Sequence, residues 1–521
     1  MFTPKHFKNS FLVLLVLLMV FTVAACSKGN KENNTPANNT ANNTEAPGEN
    51  TPPKDEEKPK EPVTITILHG KGTNFPEQNQ ISEEINKRTG VNVKFISAEY
   101  ADMETRINTA IASGDIPDII ENPNKRSIAE MAENGVIRPL DDLLKEHGQG
   151  ILENKGEFLK GPVTVDGQIY AIPRAWGFGN ALALRKDWLD KLKLEVPKTL
   201  DDYYKVLDAF VNQDPDGNGK KDTVGVGTVI SFDATMHHFF NAHGAPFKTG
   251  KYIDGQVVAW PLQPGWLDAV KFMNKLYHDG LMEPEFATMP FMQEFEKLWN
   301  GKVGAFEFFP TGTTQNWVSR YVEEPKPEFV YTVIKGPNGE GGSLKFIGEN
   351  AGSFVHITTA SKHPEEAMKV LNFLNSEEGD KLTFVGIEGK HHNMKDGKVE
   401  WIPPYDDAVQ FRNEGGTAYN AIVYRVGGME YQMLNETTKQ GVDISFDNPV
   451  EGAYLYDVPK IEQEMGKVLD DMVVEAMTSL IISKGDLDKE YEKFKAEYLK
   501  AGGETWMQQA TEIYKKENNI N

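Results

Sequence analysis

The sequence predicts an α/β protein with at least two domains, and two observations support this prediction. Short β-branched runs alternate with helical patterns from residue 63 onward, which favours a parallel sheet covered by helices on both faces. A chain of 521 residues is longer than a single hydrophobic core normally organises. The chain contains one cysteine, so no internal disulfide is expected, and stability has to come from buried apolar surface.

The first 25 residues are typical of a secretory signal peptide. Lys5 and Lys8 precede an unbroken apolar run from Phe11 to Phe21 that is short for a membrane span. The tetrad Val23-Ala-Ala-Cys26 follows and resembles the lipobox of bacterial lipoproteins, in which the cysteine takes a diacylglyceryl group and becomes the first residue. We therefore expect an exported protein anchored through lipidated Cys26; the alternative is an ordinary signal peptide with a chance cysteine.

Residues 26–61 are expected to form a flexible, lipid-attached linker, because they are rich in Asn, Thr, Pro, Glu and Lys and have almost no large apolar side chains. The whole chain has a formal charge of -22. Such an acidic surface repels phosphate backbones and anionic lipids, which argues against nucleic-acid binding and against broad membrane contact. No later segment is apolar over a sufficient length to span a membrane.

The alternation that predicts the sheet is clearest at the start of the folded region. The spacing of apolar residues predicts strands at 63–68, 91–95 and 116–120 and helices at 79–88 and 101–113. In parallel sheets, ligands bind beyond the carboxyl ends of the strands, which places Glu121 and Asn122 at a cleft. The alternative is that these two residues form an ordinary polar loop after a strand.

Several segments in a fixed order resemble one family, the extracellular solute-binding proteins of family 1, and in particular the LplA-type lipoproteins of Gram-positive bacteria. The segments are Glu84-Ile-Asn-Lys-Arg-Thr-Gly90, Ala112-Ser-Gly-Asp-Ile-Pro-Asp118, Gly135-Val-Ile-Arg-Pro-Leu-Asp-Asp142, Asp166-Gly-Gln-Ile-Tyr-Ala-Ile-Pro173, Leu184-Arg-Lys-Asp-Trp-Leu-Asp190, Val196-Pro-Lys-Thr-Leu200, Gly301-Lys-Val-Gly304, Thr358-Thr-Ala-Ser-Lys-His-Pro-Glu-Glu366, Gly386-Ile-Glu-Gly389 and Ala501-Gly-Gly503. Together they extend from about residue 63 to the end of the chain.

The resemblance implies the two-lobed periplasmic-binding-protein (type II) fold, with a ligand cleft between two α/β lobes. It implies that the chain crosses between lobes near Ile172 to Leu184, near Val303 to Pro310 and near Gly348 to Ile357. On this basis we expect residues 62–175 and 309–350 to form the first lobe, and residues 176–308 and 351–521 to form the second. Residues beside such crossings lie at the floor of the cleft and can reach a ligand.

The candidate ligand-binding residues come from three places. Those beside the crossings are Arg174, Trp176, Phe178 and Trp317. Glu121 and Asn122 follow a strand, and Tyr424 and Arg425 form an aromatic and basic pair that would close the pocket from the second lobe. Aromatic faces stack on the apolar faces of sugar rings, while Arg, Glu and Asn make the directional hydrogen bonds that hydroxyls require. The alternative for both tryptophans is a packing role, which we also expect for the helix-borne Trp188, Trp266 and Trp299.

An acidic loop at residues 214–222 matches the start of an EF-hand calcium loop. Oxygen-bearing side chains stand at positions one, three, five and nine, a glycine stands at six, and the carbonyl of residue seven is the usual further ligand. The expected ligands are Asp214, Asp216, Asn218, Lys220 through its carbonyl, and Asp222. Position twelve is Gly225 instead of the bidentate glutamate, so we expect a structural calcium site, the alternative being a metal-free acidic turn.

No enzyme motif accompanies these features: the sequence has no cysteine nucleophile, no His-Glu-x-x-His pattern and no Gly-x-Ser-x-Gly elbow. The resemblance implies a monomeric, lipid-anchored receptor on the outer face of the membrane. We expect it to capture a carbohydrate, with an oligosaccharide favoured, and to deliver it to the permease subunits of an ABC importer. The alternatives are a surface adhesin or sensor that binds glycan without transport and a glycan-cleaving lipoprotein.

Overall fold

The structure is a computed structural model that describes residues 62–70, 79–99, 102–122, 124, 127–159, 163–174, 179–343, 353–417, 419, 422, 425, 428–455 and 457–520. These residues lie in one compact unit, Glu61–Asn521. The predicted signal peptide, Cys26 and the predicted linker lie outside the described residues.

The described strands are numbered in chain order. They are β1 Thr64–Gly70, β2 Asn92–Ala98, β3 Ile119–Asn122, β4 Thr164–Val165, β5 Gln168–Ile169, β6 Ile172–Pro173, β7 Ala181–Arg185, β8 Val224–Gly227, β9 Lys251–Ile253, β10 Gln256–Val258, β11 Val303–Phe308, β12 Phe329–Thr332, β13 Phe354–Ile357, β14 His392–Lys395 and β15 Lys398–Trp401.

The described α-helices are α1 Gln80–Thr89, α2 Met103–Ser113, α3 Ser127–Glu133, α4 Asp141–His147, α5 Gln149–Lys155, α6 Lys186–Leu192, α7 Leu200–Asn212, α8 His237–Ala242, α9 Trp266–His278, α10 Phe291–Trp299, α11 Pro364–Asn375, α12 Glu377–Val385, α13 Ala408–Asn413, α14 Met429–Gln432, α15 Glu436–Asp447, α16 Lys460–Ile482, α17 Leu487–Tyr498 and α18 Glu504–Glu517. Among these helices, none combines the length and the apolar character that a membrane span requires.

The first sheet has the order β2-β1-β3-β13-β6. β1 runs parallel to β2 and β3, whereas β13 runs antiparallel to both β3 and β6. The helices after β1 and β2 begin and end as their sequences predict. Asn79 and Ser82 form a capping box at the start of α1, and Gly90 ends that helix in the left-handed region with φ 72°.

The second sheet has the order β12-β7-β11-β8. β11 runs parallel to β8, and β7 runs antiparallel to both β11 and β12. Every residue of β11 is buried, because helices and loops cover both faces of this central strand.

Each sheet has its own hydrophobic core, so the described chain forms two lobes. One side of the first sheet packs on α1, α4 and α11, and the other side packs on α2 and α3. The largest core lies between the second sheet and α7, α8, α9, α16 and α17. Trp188 and Trp266 are buried there and Trp299 packs on the opposite side of the sheet, in the packing roles that the sequence predicts.

The path of the chain between the lobes differs from the prediction in two places. β11 and the later β12 both belong to the second sheet, so the predicted crossing near Val303 to Pro310 is wrong, and so is the placement of 309–350 in the first lobe. β13 pairs with β3 and β6, so residues 354–357 lie in the first lobe instead of the second. Which strands become partners depends on pairing between residues far apart in the chain, and local sequence does not specify it. The first crossing, between β6 and β7, lies where it was expected.

Candidate functional site

Two sheet edges meet the segments that connect the lobes. In the first sheet, the carboxyl ends of β1, β3 and β6 and the start of β13 lie at one edge. In the second sheet, the start of β7 pairs with the end of β11, and Leu182 pairs with Thr332 at the end of β12. Since the chain passes between these two edges after β6 and again before β13, both edges face the junction between the lobes. A ligand cleft in this fold class lies at such a junction.

Glu121 and Arg174, two of the candidate residues, lie together at the first-sheet edge. The Glu121 side chain is fully buried, its Oε2 accepts a hydrogen bond from the Gly70 backbone at 3.0 Å, and its Oε1 lies 3.8 Å from Arg174 Nη1. The Arg174 backbone N–H donates to the Ser353 carbonyl at 2.9 Å, which fixes this residue against the start of β13. A carboxylate and a guanidinium are therefore held side by side at the carboxyl ends of the strands.

Asn122, the other candidate at this strand end, makes hydrogen bonds within its own turn. Its side chain donates to Ser127 Oγ at 2.7 Å and accepts from the Asn124 backbone at 2.9 Å, and it is only 2% exposed. These contacts shape the turn between β3 and α3 and use the hydrogen-bonding groups that a ligand would need.

Three further ionisable residues complete a charged cluster at this junction, and the sequence reasoning did not identify them. Lys155 at the end of α5 is fully buried and donates to the Pro173 carbonyl at 3.0 Å. Burial, together with the positive charge of Arg174, lowers the pKa of Lys155 to about 7. The ammonium thus holds the last peptide before Arg174 in place.

Asp380 and Glu430 are the other two members. Burial raises the pKa of Asp380 to about 6, against the opposing effects of a hydrogen bond from the Met429 backbone (2.7 Å) and of Arg425. Burial raises the pKa of Glu430 to about 7, although Arg174 lowers it. Arg425, predicted from sequence, therefore joins the cluster with Arg174 through these two acids. We refer to Glu121, Lys155, Arg174, Asp380, Arg425 and Glu430 as the charged cluster.

The second-sheet edge is aromatic. Phe308 ends β11, and rings from three other segments surround it; Phe232, Phe291, Phe309 and Trp317 are half-buried members. Phe232 and Phe291 have ring centroids 4.2 Å apart. We call these five residues the aromatic face. Only Trp317 was identified from sequence, because the phenylalanines come from separate segments that only the fold brings together.

Trp317 is packed within this face. Its ring stacks on Phe308 at a centroid distance of 5.0 Å and an interplanar angle of 23°, and it contacts Phe295 edge-on at 4.3 Å. The packing role that was the alternative for Trp317 is thus real, and the half-buried ring also lies beside the predicted cleft. Trp176, Phe178 and Tyr424, the remaining predicted binding residues, lie outside the described residues.

The acidic loop connects α7 to β8 and is largely exposed. Within it, Asn218 Nδ2 donates to Asp216 at 2.6 Å and to Asp222 at 3.0 Å, and the Gly219 backbone donates to Asp214 Oδ2 at 3.1 Å. The ammonium of Lys302 lies 3.0 Å from Asp216 Oδ2 and 2.9 Å from Asp222 Oδ2.

The donor set of this loop suits a hard cation, although its side chains are not gathered around one point. Among the described residues, no group of three or more His, Cys, Asp or Glu side chains is arranged to hold a metal. Two observations fit a cation nonetheless. Oδ1 of Asp214 is buried and has no hydrogen-bond partner in the described part of the chain, and two of the loop's carboxylates already share the positive charge of Lys302.

Comparison with known proteins places the chain in a family. The model of the bacterial extracellular solute-binding proteins matches residues 73–381, more than half of the chain. Lipoprotein LipO of Bacillus subtilis is 26% identical over 82% of this chain and 88% of its own length. The polygalacturonan/rhamnogalacturonan-binding protein YtcQ of the same organism is 27% identical over 85% of this chain and 89% of its own.

Solved structures support the fold. The Streptococcus pneumoniae ABC-transporter substrate-binding protein FusA in complex with kestose has a TM-score of 0.66 at 21% identity, covering 88% of this chain and 100% of FusA. A FusA EF-hand mutant in complex with fructo-nystose matches equally well, with a TM-score of 0.66 at 21% identity over 88% of this chain and 100% of that one. The alginate-binding protein AlgQ2 without calcium ion has a TM-score of 0.68 at 20% identity, covering 87% of this chain and 98% of AlgQ2.

The family and these relatives are binding proteins and not enzymes. Their two-lobed α/β fold agrees with the two sheets, the crossings and the junction described above. The chain belongs to the bacterial extracellular solute-binding proteins.

Proposed function

We propose that this protein is the lipid-anchored, monomeric solute-binding component of an ABC importer and that it captures an oligosaccharide between its lobes. The observation that carries the proposal is the contrast between the two edges at the junction. The first edge presents the charged cluster, and the second presents the aromatic face. A sugar ring needs both, because its hydroxyls require directional hydrogen bonds and its C–H face stacks on aromatic rings.

The names of the relatives support the ligand class. FusA is described as a fructooligosaccharide-binding protein and YtcQ as a polygalacturonan/rhamnogalacturonan-binding protein. One of these glycans is neutral and the other is acidic, so the relatives support a carbohydrate without selecting one sugar. Lipoprotein LipO supports the lipid anchor that the Val23-Ala-Ala-Cys26 tetrad predicts.

Within this proposal each edge has a defined role. Arg174 and Glu121 bind ligand hydroxyls from the first lobe, and Arg425 adds a second guanidinium. The sequence candidates Trp176, Phe178 and Tyr424 complete the proposed set of ligand-binding residues. Phe291, Phe232 and Trp317 stack on sugar rings from the second lobe. A ligand that contacts both edges favours the closed arrangement of the lobes over the open one, and the difference in affinity drives closure. The permease subunits then recognise the closed form.

A thermal-shift screen of the full-length protein tests this proposal. The panel contains kestose, fructo-nystose, oligogalacturonides and N-glycan fragments, and a bound sugar raises the unfolding temperature according to its concentration and affinity. Phe291→Ala is expected to abolish or strongly weaken the shift. Phe446→Ala is the matched control, because Phe446 is 47% exposed and outside the aromatic face.

A shift that persists unchanged in Phe291→Ala would remove the aromatic face from the ligand site. A panel without any stabilising sugar would count against carbohydrate as the ligand class. Consumption of the sugar during incubation would contradict the assignment as a binding protein.

We also propose that the acidic loop holds a structural calcium ion. Asp214, Asp216, Asn218 and Asp222 would supply side-chain oxygens, and Lys220 would supply its carbonyl. The orphan Oδ1 of Asp214 supports this assignment, and the FusA EF-hand mutant shows that a relative carries such a loop. EGTA is expected to lower the unfolding temperature of the purified protein, and an unchanged temperature would contradict the calcium site.

A further inference from the structure

Glu294 on α10 lies in surroundings that the proposed function does not explain. The residue is fully buried, and both of its carboxylate oxygens lack a hydrogen-bond partner among the described residues. A buried carboxylate without a partner is strongly unfavourable, so the group is expected to carry a proton or to share one. A second acid is available for this purpose.

Glu283, on the segment after α9, is that second acid. It is also fully buried; its Oε1 accepts from Lys297 Nζ at 2.9 Å and from the Glu285 backbone at 3.1 Å, and its Oε2 has no partner among the described residues. Burial and the neighbouring Glu283 raise the pKa of Glu294 well above the ordinary glutamate range, while Lys297 opposes this shift. Lys297 therefore balances the charge of Glu283, and Glu294 is available to hold the proton.

The space around Glu294 is closely fitted. A Cβ atom on Gly227 at the end of β8 would lie 2.0 Å from Glu294 Oε1, and 2.9 Å from a methyl of Val303 on β11. The charged groups that face Glu294 are Glu283 and Lys297, and Glu285 lies 3.6 Å from the same Lys297. β8 and β11 present the uncharged Gly227 and Val303 at this point.

We propose that Glu294 is a positioning residue for the aromatic face: it shares one proton with Glu283, and this contact keeps α10 seated on the second sheet with Phe291 at the junction between the lobes. Phe291 is the first residue of α10, three positions before Glu294, and it contacts Phe232. Ionisation of both acids places two negative charges in a buried site with one ammonium. The helix then has to move away from the sheet, and Phe291 moves with it.

The test uses backbone hydrogen exchange of residues 291–299 in the full-length protein, corrected for the intrinsic effect of pH. In the wild type, protection is expected to fall between pH 6 and pH 9. The fall is up to about tenfold per pH unit, because the opened helix releases the one proton that the seated helix holds. Glu294→Gln keeps the shape and the neutral state, so its protection is expected to remain constant over this range. Glu296→Gln is the matched control on the same helix, since Glu296 is exposed and should leave the wild-type profile unchanged.

A wild-type profile without pH dependence, or a Glu294→Gln profile that still falls, would overturn the proposal. If Glu294→Gln does not fold, Glu283→Gln replaces it: removal of the neighbouring charge shifts the wild-type profile along the pH axis, and an unshifted profile contradicts proton sharing. The proposal rests on the proposed function only in that Phe291 contacts ligand. Exchange is measured without sugar, so a failed sugar screen and a failed positioning role are distinguishable.

Discussion

Replacement of Asp380 by asparagine is expected to stabilise the protein at alkaline pH. Asp380 is 3% exposed and its pKa is raised from 3.8 to about 6, mainly by burial. For an acid with a raised pKa, the folded state binds the proton more tightly than the unfolded state. The associated stability is present below pH 3.8 and is lost as the pH rises through 6.

The magnitude follows from the shift. The difference 6 − 3.8 gives about 2 pKa units, and at about 1.4 kcal/mol per unit the ionised carboxylate costs about 3 kcal/mol at pH 8. Asparagine cannot ionise, and its side-chain oxygen can still accept the hydrogen bond from the Met429 backbone. Asp380→Asn is therefore expected to be more stable than the wild type by up to about 3 kcal/mol at pH 8 and nearly equal to it at pH 4.

Urea denaturation at pH 4, 6 and 8 measures this difference. Asp406→Asn is the matched control, because Asp406 is exposed and the substitution should leave the pH dependence unchanged. The reasoning is refuted if Asp380→Asn unfolds at the same or a lower urea concentration than the wild type at pH 8. That result would mean that Arg425 stabilises the ionised carboxylate by more than burial destabilises it.

Three further substitutions are expected to change stability. Lys155→Met removes a buried amine whose pKa is lowered from 10.5 to about 7. The wild type gains stability as the pH rises above 7, whereas the variant does not. In urea denaturation, the free energy of unfolding of the variant relative to the wild type should therefore fall by about 1.4 kcal/mol per pH unit between pH 7 and 9. Gly227→Ala places a methyl group against Glu294 and should destabilise by about 1–3 kcal/mol, whereas Gly156→Ala meets open space and should be nearly neutral by the same assay. Thr199→Ala removes the cap of α7, in which the side chain accepts from the Asp202 backbone, and should lower the free energy of unfolding by about 1 kcal/mol.

Local sequence patterns predicted the first five elements of the fold well. The alternating run before Leu68, the cap at Asn79 and the glycine at position 90 are features that a strand or helix carries within its own sequence. The lobe to which β12 and β13 belong was predicted wrongly. Both are short apolar runs, and nothing within four residues specifies which strand will be the partner.

The residues of the candidate site also fall into two groups: those that sequence reasoning identified and those that only the fold brings together. Glu121 was predicted from its position after a strand and Arg174 from the crossing that the family resemblance implies, and the structure brings them within 3.8 Å. Asp380 and Glu430 lie on helices with ordinary surface composition, and only their burial distinguishes them. His237 and His238 are both buried, and Glu307 from β11 accepts a hydrogen bond from the His238 ring at 2.7 Å.

The position of β13 has a consequence for how the protein folds. Ile119 of β3 pairs with Ile357 of β13, and the second sheet's four strands all lie between these two positions in the chain. While the chain emerges from its amino-terminal end, β3 has an unpaired edge until residue 357 is available, and such an edge can pair with another chain. No single cut releases a complete lobe, so neither lobe can complete its core before segments that follow residue 353 are available. A chaperone that covers β3 during this interval would protect the nascent protein from aggregation.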